Sequence, residues 1–153
     1  MDKQRKIDLK KAETKDVPKL IEIEKSVASK TYSAIVTEKD WQDELVKNNA
    51  KIFTILSNDE IIGDVSYEIK SDCIAYISGL CIKQKFRSQG IGKEVIKLIL
   101  KELKDYKRIE LVTHPENKNA IKLYSSFGFL IEKQMENYFG DGEPRILMVK
   151  INN

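Results

Sequence analysis

Cysteine and histidine are scarce in this sequence, which has two cysteines and one histidine among 153 residues. Cys73 and Cys81 form no Cys-x-x-Cys pair, and so few ligands do not match the pattern of a disulfide framework or a structural zinc site. Both cysteines lie in apolar stretches that are typical of strands. We therefore expect two buried, reduced thiols and no metal site.

Long apolar runs and a large excess of one charge are also missing. No run approaches the roughly 18 residues that a membrane span requires, and no apolar signal segment follows the basic residues 1–6. The net charge is only +3, from 27 basic and 24 acidic residues, which is too even for a nucleic-acid-binding stripe. We expect a cytoplasmic protein that binds neither membranes nor nucleic acids, and whose slight positive charge suits an anionic cofactor.

The spacing of apolar residues predicts one α/β domain over residues 1–153. Hydrophobic residues make up 41% of the chain, enough for a single core at this length. The periodicities follow the order β-α-α-β-β-β-α-β-α-β-β, which favours one mixed sheet with helices on both faces. Strands are predicted at 7–12, 51–56, 61–69, 73–82, 108–113, 129–138 and 145–151. Helices are predicted to begin near residues 17 and 37 and to cover 91–106 and 117–127.

Two of the few glycines stand in the stretch Phe-Arg-Ser-Gln-Gly-Ile-Gly-Lys at 86–93, between a predicted strand and a long amphipathic helix. Glycine lets the backbone approach a ligand closely and adopt a positive φ, and the first N–H groups of the helix attract an anion. We predict a phosphate-binding loop in which Arg87, Lys93 and the amide of Gln89 supply further donors. A Rossmann fold is not indicated, because the first glycine of Gly-x-Gly-x-x-Gly is missing.

A second motif follows on a short helix: Asn117-x-x-Ala120-x-x-Leu123-Tyr124-x-x-x-Gly128-Phe129. Together with Arg87-Ser88-Gln89-Gly90-Ile91-Gly92, it resembles the GNAT acetyltransferase superfamily, and the resemblance covers nearly the whole chain. It implies a mixed, mostly antiparallel sheet in which two parallel strands splay apart around Leu80 and Val112 to hold acetyl-CoA.

The resemblance also implies a role for each matched position. Backbone groups of Leu80, Cys81 and Ile82 would pair with the pantetheine arm, and one of their N–H groups would polarise the thioester carbonyl. Asn117 would hydrogen-bond the pantetheine arm, and Ala120 would also contact the cofactor. The pyrophosphate would be bound by the whole loop: Arg87, Ser88, Gln89, Gly90, Ile91, Gly92 and Lys93.

Tyr124 would protonate the departing CoA thiolate, because a phenol with a pKa near 10 is protonated at neutral pH. A simpler explanation exists for each of these residues. Asn117 could be only a helix N-cap, Tyr124 a core residue and the glycines an ordinary turn.

The stretch Asn-Tyr-Phe-Gly-Asp-Gly-Glu at 137–143 resembles the branch that acetylates protein N-termini, of the ribosomal-protein alanine type. The resemblance implies an N-terminal α-amine as acceptor, with Tyr32, Tyr138 and Phe139 at the acceptor site, although Phe139 replaces a tyrosine. Two alternatives stay open: acetylation of a polyamine, aminoglycoside or amino acid, and a non-catalytic acyl-CoA sensor. The small amine would be favoured if acidic side chains converged, namely those of Asp40, Asp43, Glu44, Asp141 and Glu143.

The proton acceptor is also left open, because Val112 stands where the resembled branch often has Glu or His. An α-amine has a pKa near 7.8 and needs only a weak base. Tyr76, which could order a water, and Glu24 are the catalytic candidates beside Tyr124. Further candidates are Glu68, Glu110 and His114. A surface ion pair is the simpler explanation for Glu24, Glu68 and Glu110, and a structural role is the simpler explanation for His114. Trp41 could line the acceptor pocket or lie in the core, and a monomer or a homodimer is expected.

Overall fold

A computed structural model describes residues 6–153. The basic residues 1–5, where no signal peptide is expected, lie outside the described residues. Seven strands are present: β1 (Ile7–Lys11), β2 (Ala50–Ser57), β3 (Glu60–Ile69), β4 (Ile74–Ile82), β5 (Arg108–Thr113), β6 (Leu130–Met135) and β7 (Arg145–Ile151). The four α-helices are α1 (Val17–Val27), α2 (Glu38–Leu45), α3 (Ile91–Glu102) and α4 (Lys118–Ser125). In this part of the chain, no helix combines the length and the apolar character needed to cross a bilayer.

The strands form one mixed sheet in the order β1-β2-β3-β4-β5-β7-β6. The central pair β4–β5 is parallel, and the other neighbouring pairs within residues 6–153 are antiparallel. The predicted order of strands and helices and the mostly antiparallel sheet are therefore confirmed. A parallel neighbour requires a crossover connection, and α3 supplies it between β4 and β5.

Helices cover both faces of the sheet, as predicted. On one face, Leu20 of α1 and Trp41 of α2 pack against Ile52 of β2. On the other face, Ile55 of β2 belongs to a larger cluster that contains the apolar side of α3, including Val95. Because side chains alternate along a strand, one strand serves both clusters. Trp41 is a core residue, and its indole N–H donates to the Ile35 carbonyl at 2.9 Å.

Three of the local predictions are wrong. The helix predicted over 91–106 ends at Glu102, with Leu103 as its C-cap. The strand predicted over 129–138 ends at Met135, because Asn137 adopts a φ of 50° and its side chain accepts a hydrogen bond from the Gly142 N–H at 2.6 Å, which closes a loop. Cys73 lies in the turn before β4 and is exposed, whereas Cys81 is buried as expected. The turn places Cys73 at the surface, where its N–H donates to Ser71 Oγ at 3.3 Å.

Candidate active site

The parallel strands β4 and β5 separate part-way along their length. Their pairing runs from Ile74 opposite Arg108 to Ile77 opposite Leu111, and the described residues show no further β4–β5 pairs. Beyond that point β4 stays bonded to β3, and β5 stays bonded to β7. The rest of β4 therefore presents one backbone edge to a gap, which is the feature that accepts an added extended segment.

The loop before α3 forms the floor of a cavity of about 410 Å³, called here the first cavity. Ser88 and Gly90 have φ values of 63° and 79°, and α3 starts at Ile91. The N–H groups of its first turn have no partner inside the helix, so they are available to an anion. Gly92 lies within the helix, so of the two motif glycines Gly90 is the one that needs a positive φ.

Ten of the thirteen predicted cofactor residues line the first cavity: Leu80, Ile82, Arg87, Ser88, Gly90, Ile91, Gly92, Lys93, Asn117 and Ala120. The side chain of Cys81 points to the opposite face of β4 and is buried under α1. Gln89 Nε2 donates to the Lys85 carbonyl at 3.0 Å, so this amide serves the loop itself. Arg87 Nε donates to the Ile82 carbonyl at 3.2 Å, which fixes the guanidinium beside the cavity.

Gly90→Val should weaken coenzyme A binding at least tenfold, because a branched side chain would protrude into the cavity at the N-terminus of α3. A β-carbon at Gly90 meets no protein atom within 4 Å, so the added atoms face open space. Gly140→Val is the matched control, with the same φ of 79° and equally open surroundings away from α3. Calorimetric titration with coenzyme A should show weaker binding for Gly90→Val only. Equal affinities in the two variants would contradict a pyrophosphate site at this loop.

A second cavity, of about 90 Å³, lies beyond the separation of β4 and β5 and contains Tyr124. The two cavities meet at shared residues: Thr31, Tyr32, Leu80, Asn117 and Ala120. The ring of Tyr124 packs edge-on against Phe129 at 5.6 Å, and burial raises the pKa of its hydroxyl. The hydroxyl is therefore protonated at neutral pH. Asn117 is an N-cap, since its side chain accepts from the Ala120 N–H at 3.2 Å, and it also lines both cavities.

The lining of the second cavity includes a buried arginine that the sequence did not indicate. Arg145 begins β7, is 2% exposed and donates to Asp141 Oδ2 at 3.0 Å. Its guanidinium carbon lies 5.0 Å from the ring centre of Phe139, which also lines this cavity. Tyr138 packs edge-on against Phe139 at 4.8 Å and lies outside the lining. None of the described residues that line the second cavity is acidic.

None of the five acidic residues that could have favoured a small amine lines the first or the second cavity. Asp43 pairs with Lys39 and Glu44 with Lys47 on α2 and its C-terminal end. Asp141 pairs with Arg145, and Glu143 binds His114.

Among the base candidates, Tyr76 lines the second cavity, and burial raises the pKa of its phenol. Lys70 Nζ lies 4.7 Å from its ring centre. Glu68 and Glu110 form the ion pairs expected of them, with Lys47 and Lys70 respectively, each at 3.1 Å. Neither glutamate lines the first or the second cavity.

Glu24 does not form the expected surface ion pair. It is 0% exposed, and its Oε1 accepts a hydrogen bond from the hydroxyl of Tyr32 at 3.1 Å. Glu24 lines neither cavity, whereas Tyr32 lines both. Tyr32 therefore stands between the Glu24 carboxyl group and the place where the two cavities meet.

His114 has a structural role, as the simpler explanation predicted. The Glu116 N–H donates to His114 Nδ1 at 3.0 Å, so this nitrogen carries no proton. Nε2 then carries the proton and donates to Glu143 Oε1 at 2.8 Å. The imidazole is buried and connects the end of β5 to the β6–β7 loop, which carries Phe139.

The combination of splayed parallel strands and an anion-binding helix N-terminus agrees with a match to a family model. The acetyltransferase (GNAT) family model matches residues 17–129, which include β4, α3 and α4. The chain belongs to the GNAT family. The expected GNAT fold is thereby confirmed, and the family is one of acyltransferase enzymes.

Curated relatives and solved structures extend this comparison. N-alpha-acetyltransferase 30 of Xenopus laevis is 33% identical over 69 residues, which are 44% of this chain and 25% of that protein. The chain therefore matches about a quarter of the length of that relative.

The fold is similar to the ribosomal-protein-S18-alanine N-acetyltransferase of Escherichia coli, with a TM-score of 0.81 and 21% identity over 97% of this chain and 96% of that one. The fold is also similar to the PaiA N-acetyltransferase of Thermoplasma acidophilum, which was solved with coenzyme A. The TM-score is 0.79 and the identity 20%, over 95% of this chain and 99% of that one.

Proposed function

We propose that this chain is an acetyl-CoA-dependent N-acetyltransferase whose acceptor is the N-terminal α-amine of a protein or peptide. The observation that carries the proposal is the meeting of two cavities where β4 and β5 separate, with Tyr124 in the second. One cavity suits the CoA thioester and the other suits the amine. Named relatives that are N-alpha-acetyltransferases and a neighbour solved with coenzyme A support the same assignment.

The first cavity would bind acetyl-CoA, which supplies an activated acetyl thioester. The N–H groups at the start of α3, together with Lys93, would bind the pyrophosphate. The edge of β4 at Leu80 and Ile82 lies beyond the pairing with β5, and its backbone groups other than the Ile82 carbonyl, which accepts from Arg87, would hydrogen-bond the pantetheine arm. A backbone N–H there would stabilise negative charge on the carbonyl oxygen in the transition state. Asn117 would donate its amide to the arm while its oxygen caps α4.

Tyr124 would donate its proton to the thiolate as the carbon–sulfur bond breaks. Its hydroxyl is kept protonated by burial, and no described protein group competes for it by a hydrogen bond. A phenol that stays protonated can donate a hydrogen bond to the sulfur as negative charge develops on it, and this stabilises the departing thiolate, whose conjugate acid has a pKa of about 8.5.

The second cavity favours a peptide over a polyamine or an aminoglycoside. Its charged lining residue is Arg145, whose charge Asp141 already balances, so the described lining offers no acidic partner to a ligand that carries several positive charges. A peptide has one α-amine followed by carbonyl oxygens, which accept hydrogen bonds from cationic and hydroxyl side chains. Tyr76, Phe139 and Arg145 would contact the first residues of such a peptide, with Tyr32 at the amine and Tyr138 at the rim.

The test is turnover with acetyl-CoA and a panel of acceptors: peptides with free N-termini, the same peptides with blocked N-termini and an internal lysine, spermidine and an aminoglycoside. Coenzyme A release should appear with free N-termini, and mass spectrometry should place the acetyl group on the α-nitrogen. Turnover restricted to spermidine or the aminoglycoside would contradict the peptide acceptor. Binding of acetyl-CoA without transfer to any member would favour an acyl-CoA sensor.

The absence of a metal, the cytoplasmic location and the monomeric or homodimeric state stay predictions.

A further inference from the structure

Two carboxyl groups and a thiol lie together between α1 and the sheet, and neither carboxyl group forms an ion pair with another described residue. Glu24 comes from α1, Asp64 from β3 and Cys81 from β4, and their exposed fractions are 0%, 3% and 2%. One carboxylate oxygen of each acid and the Sγ of Cys81 lie within 4.8 Å of one another. Among the described residues, Glu24 Oε2 and Asp64 Oδ2 are the buried side-chain oxygens that lack a hydrogen-bond partner.

The strand register explains how Asp64 reaches this place. Asp64 is paired with Cys81 of β4 and with Thr54 of β2, so its side chain points to the face covered by α1. The hydroxyl of Thr54 donates to the Lys10 carbonyl at 3.1 Å and so does not donate to Asp64. An aspartate inside the apolar run Ile-Ile-Gly-Asp-Val at 61–65 therefore lies beside another acid, and its Oδ2 has no partner among the described residues.

Two ionised carboxylates cannot occupy such a dry site together. Burying one unpaired charge is costly, and a second like charge within a few ångströms raises that cost further. A single proton on the pair removes one charge, and a hydrogen bond between the two oxygens that lack partners would satisfy both atoms. This is the arrangement of paired acids that titrate as a unit.

We propose that Glu24 and Asp64 share one proton, and that Asp64 is a positioning residue that makes Glu24 the proton acceptor behind Tyr32. The role in the reaction rests on the proposed function. As the α-ammonium group gives a proton to the Tyr32 oxygen, Tyr32 passes its own proton to Glu24 Oε1. The neutral amine then attacks, the carbon–nitrogen bond forms, the carbon–sulfur bond breaks and Tyr124 protonates the thiolate. Afterwards Glu24 releases its proton through Tyr32 to solvent.

The surroundings of Glu24 support this role. Burial raises the pKa of Glu24, which brings its basicity closer to that of an α-amine. Burial first and the nearby Glu24 second raise the pKa of Asp64. The groups that face Glu24 are Tyr32 and the Ile35 backbone from the loop after α1, Asp64 from β3 and Cys81 from β4, with Arg87 acting on Cys81 from the end of β4.

Asp64→Asn tests the shared proton, because the amide keeps the shape and can donate to Glu24 without carrying a titratable proton. Infrared difference spectra at pH 7 in H₂O and D₂O should show a protonated carboxyl band in the unmodified protein. The band should vanish in Asp64→Asn, where Tyr32 and Cys81 still hydrogen-bond the Glu24 carboxylate, and it should persist in Asp72→Asn, an exposed control in the β3–β4 turn. No such band in the unmodified protein, or a band that persists in Asp64→Asn, would overturn the proposal.

The pH dependence of kcat/KM tests the role in the reaction. Removal of the like charge lowers the pKa of Glu24. The rise of kcat/KM on the acid side of the pH profile should therefore move to lower pH in Asp64→Asn, by about one unit or more. Asp72→Asn should keep the original profile. An active Asp64→Asn enzyme with an unmoved limb would overturn the positioning role. Failure of the proposed function would look different: the unmodified protein would acetylate no acceptor, while the infrared result would stand.

Discussion

Tyr124→Phe should lower kcat about 100-fold while leaving the affinity for acetyl-CoA nearly unchanged. The substitution removes one hydroxyl and keeps the ring that packs edge-on against Phe129 at 5.6 Å. No described protein group depends on that hydroxyl for a hydrogen bond, so the fold loses little. The thiolate would then leave without an acid, which slows the step in which the carbon–sulfur bond breaks.

The measurements are steady-state rates of coenzyme A release, calorimetric titration with coenzyme A and thermal unfolding. Tyr67→Phe is a suitable control, because Tyr67 is also a buried tyrosine of the main core, but its hydroxyl donates to Glu102 at 2.7 Å away from both cavities. This control should lose some stability and keep its kcat. An unchanged kcat in Tyr124→Phe would show that another group, or solvent, protonates the thiolate.

The order of strands and helices was predictable because each element carries its own periodicity. The apolar side of α3 repeats every three or four residues, whereas β2 alternates toward two covered faces. Element ends were harder to predict, since they depend on single residues that leave the regular backbone. Asn137 ends β6 by adopting a positive φ, and the turn before β4 brings Cys73 to the surface.

The cofactor loop was predictable because its residues are consecutive in the sequence. A glycine directly before the start of a helix indicates an anion site without any information on distant residues. The acceptor side depends on register between distant strands, which the sequence does not specify. Arg145 follows a turn and looked like an ordinary strand residue, yet it forms a wall of the second cavity. Asp64 did leave a signal, because an acid in the middle of an apolar strand needs an explanation, but its partner Glu24 is found only in three dimensions.

Gly63→Ala should destabilise the protein by about 2 kcal/mol or more, although it adds a single methyl group. Gly63 belongs to β3, and a β-carbon there would lie 1.9 Å from the Cys81 carbonyl oxygen of β4. The obstacle is backbone, so no side chain can rotate away and the two strands must move apart. For a chain of this length, the midpoint of thermal unfolding should fall by roughly 4–8 °C.

Gly79→Ala is the matched control for this clash. Gly79 lies on β4, and its β-carbon would approach Ser66 Oγ at 3.2 Å, a side-chain atom that can rotate. Both substitutions restrict the unfolded chain in the same way, by about 0.4–1 kcal/mol. The difference between their unfolding midpoints therefore isolates the contact with Cys81. Equal midpoints would mean that β3 and β4 separate there at little cost.

The same pair of variants links the packing of β3 to the proposed cofactor site. The Cys81 carbonyl lies between Leu80 and Ile82, whose backbone edge we propose to pair with the pantetheine arm. A displaced β4 should therefore raise the KM for acetyl-CoA in Gly63→Ala, measured well below its unfolding temperature, and leave it unchanged in Gly79→Ala. If Gly63→Ala lost stability but kept its KM, the arm would be bound by α3 and α4 without the edge of β4.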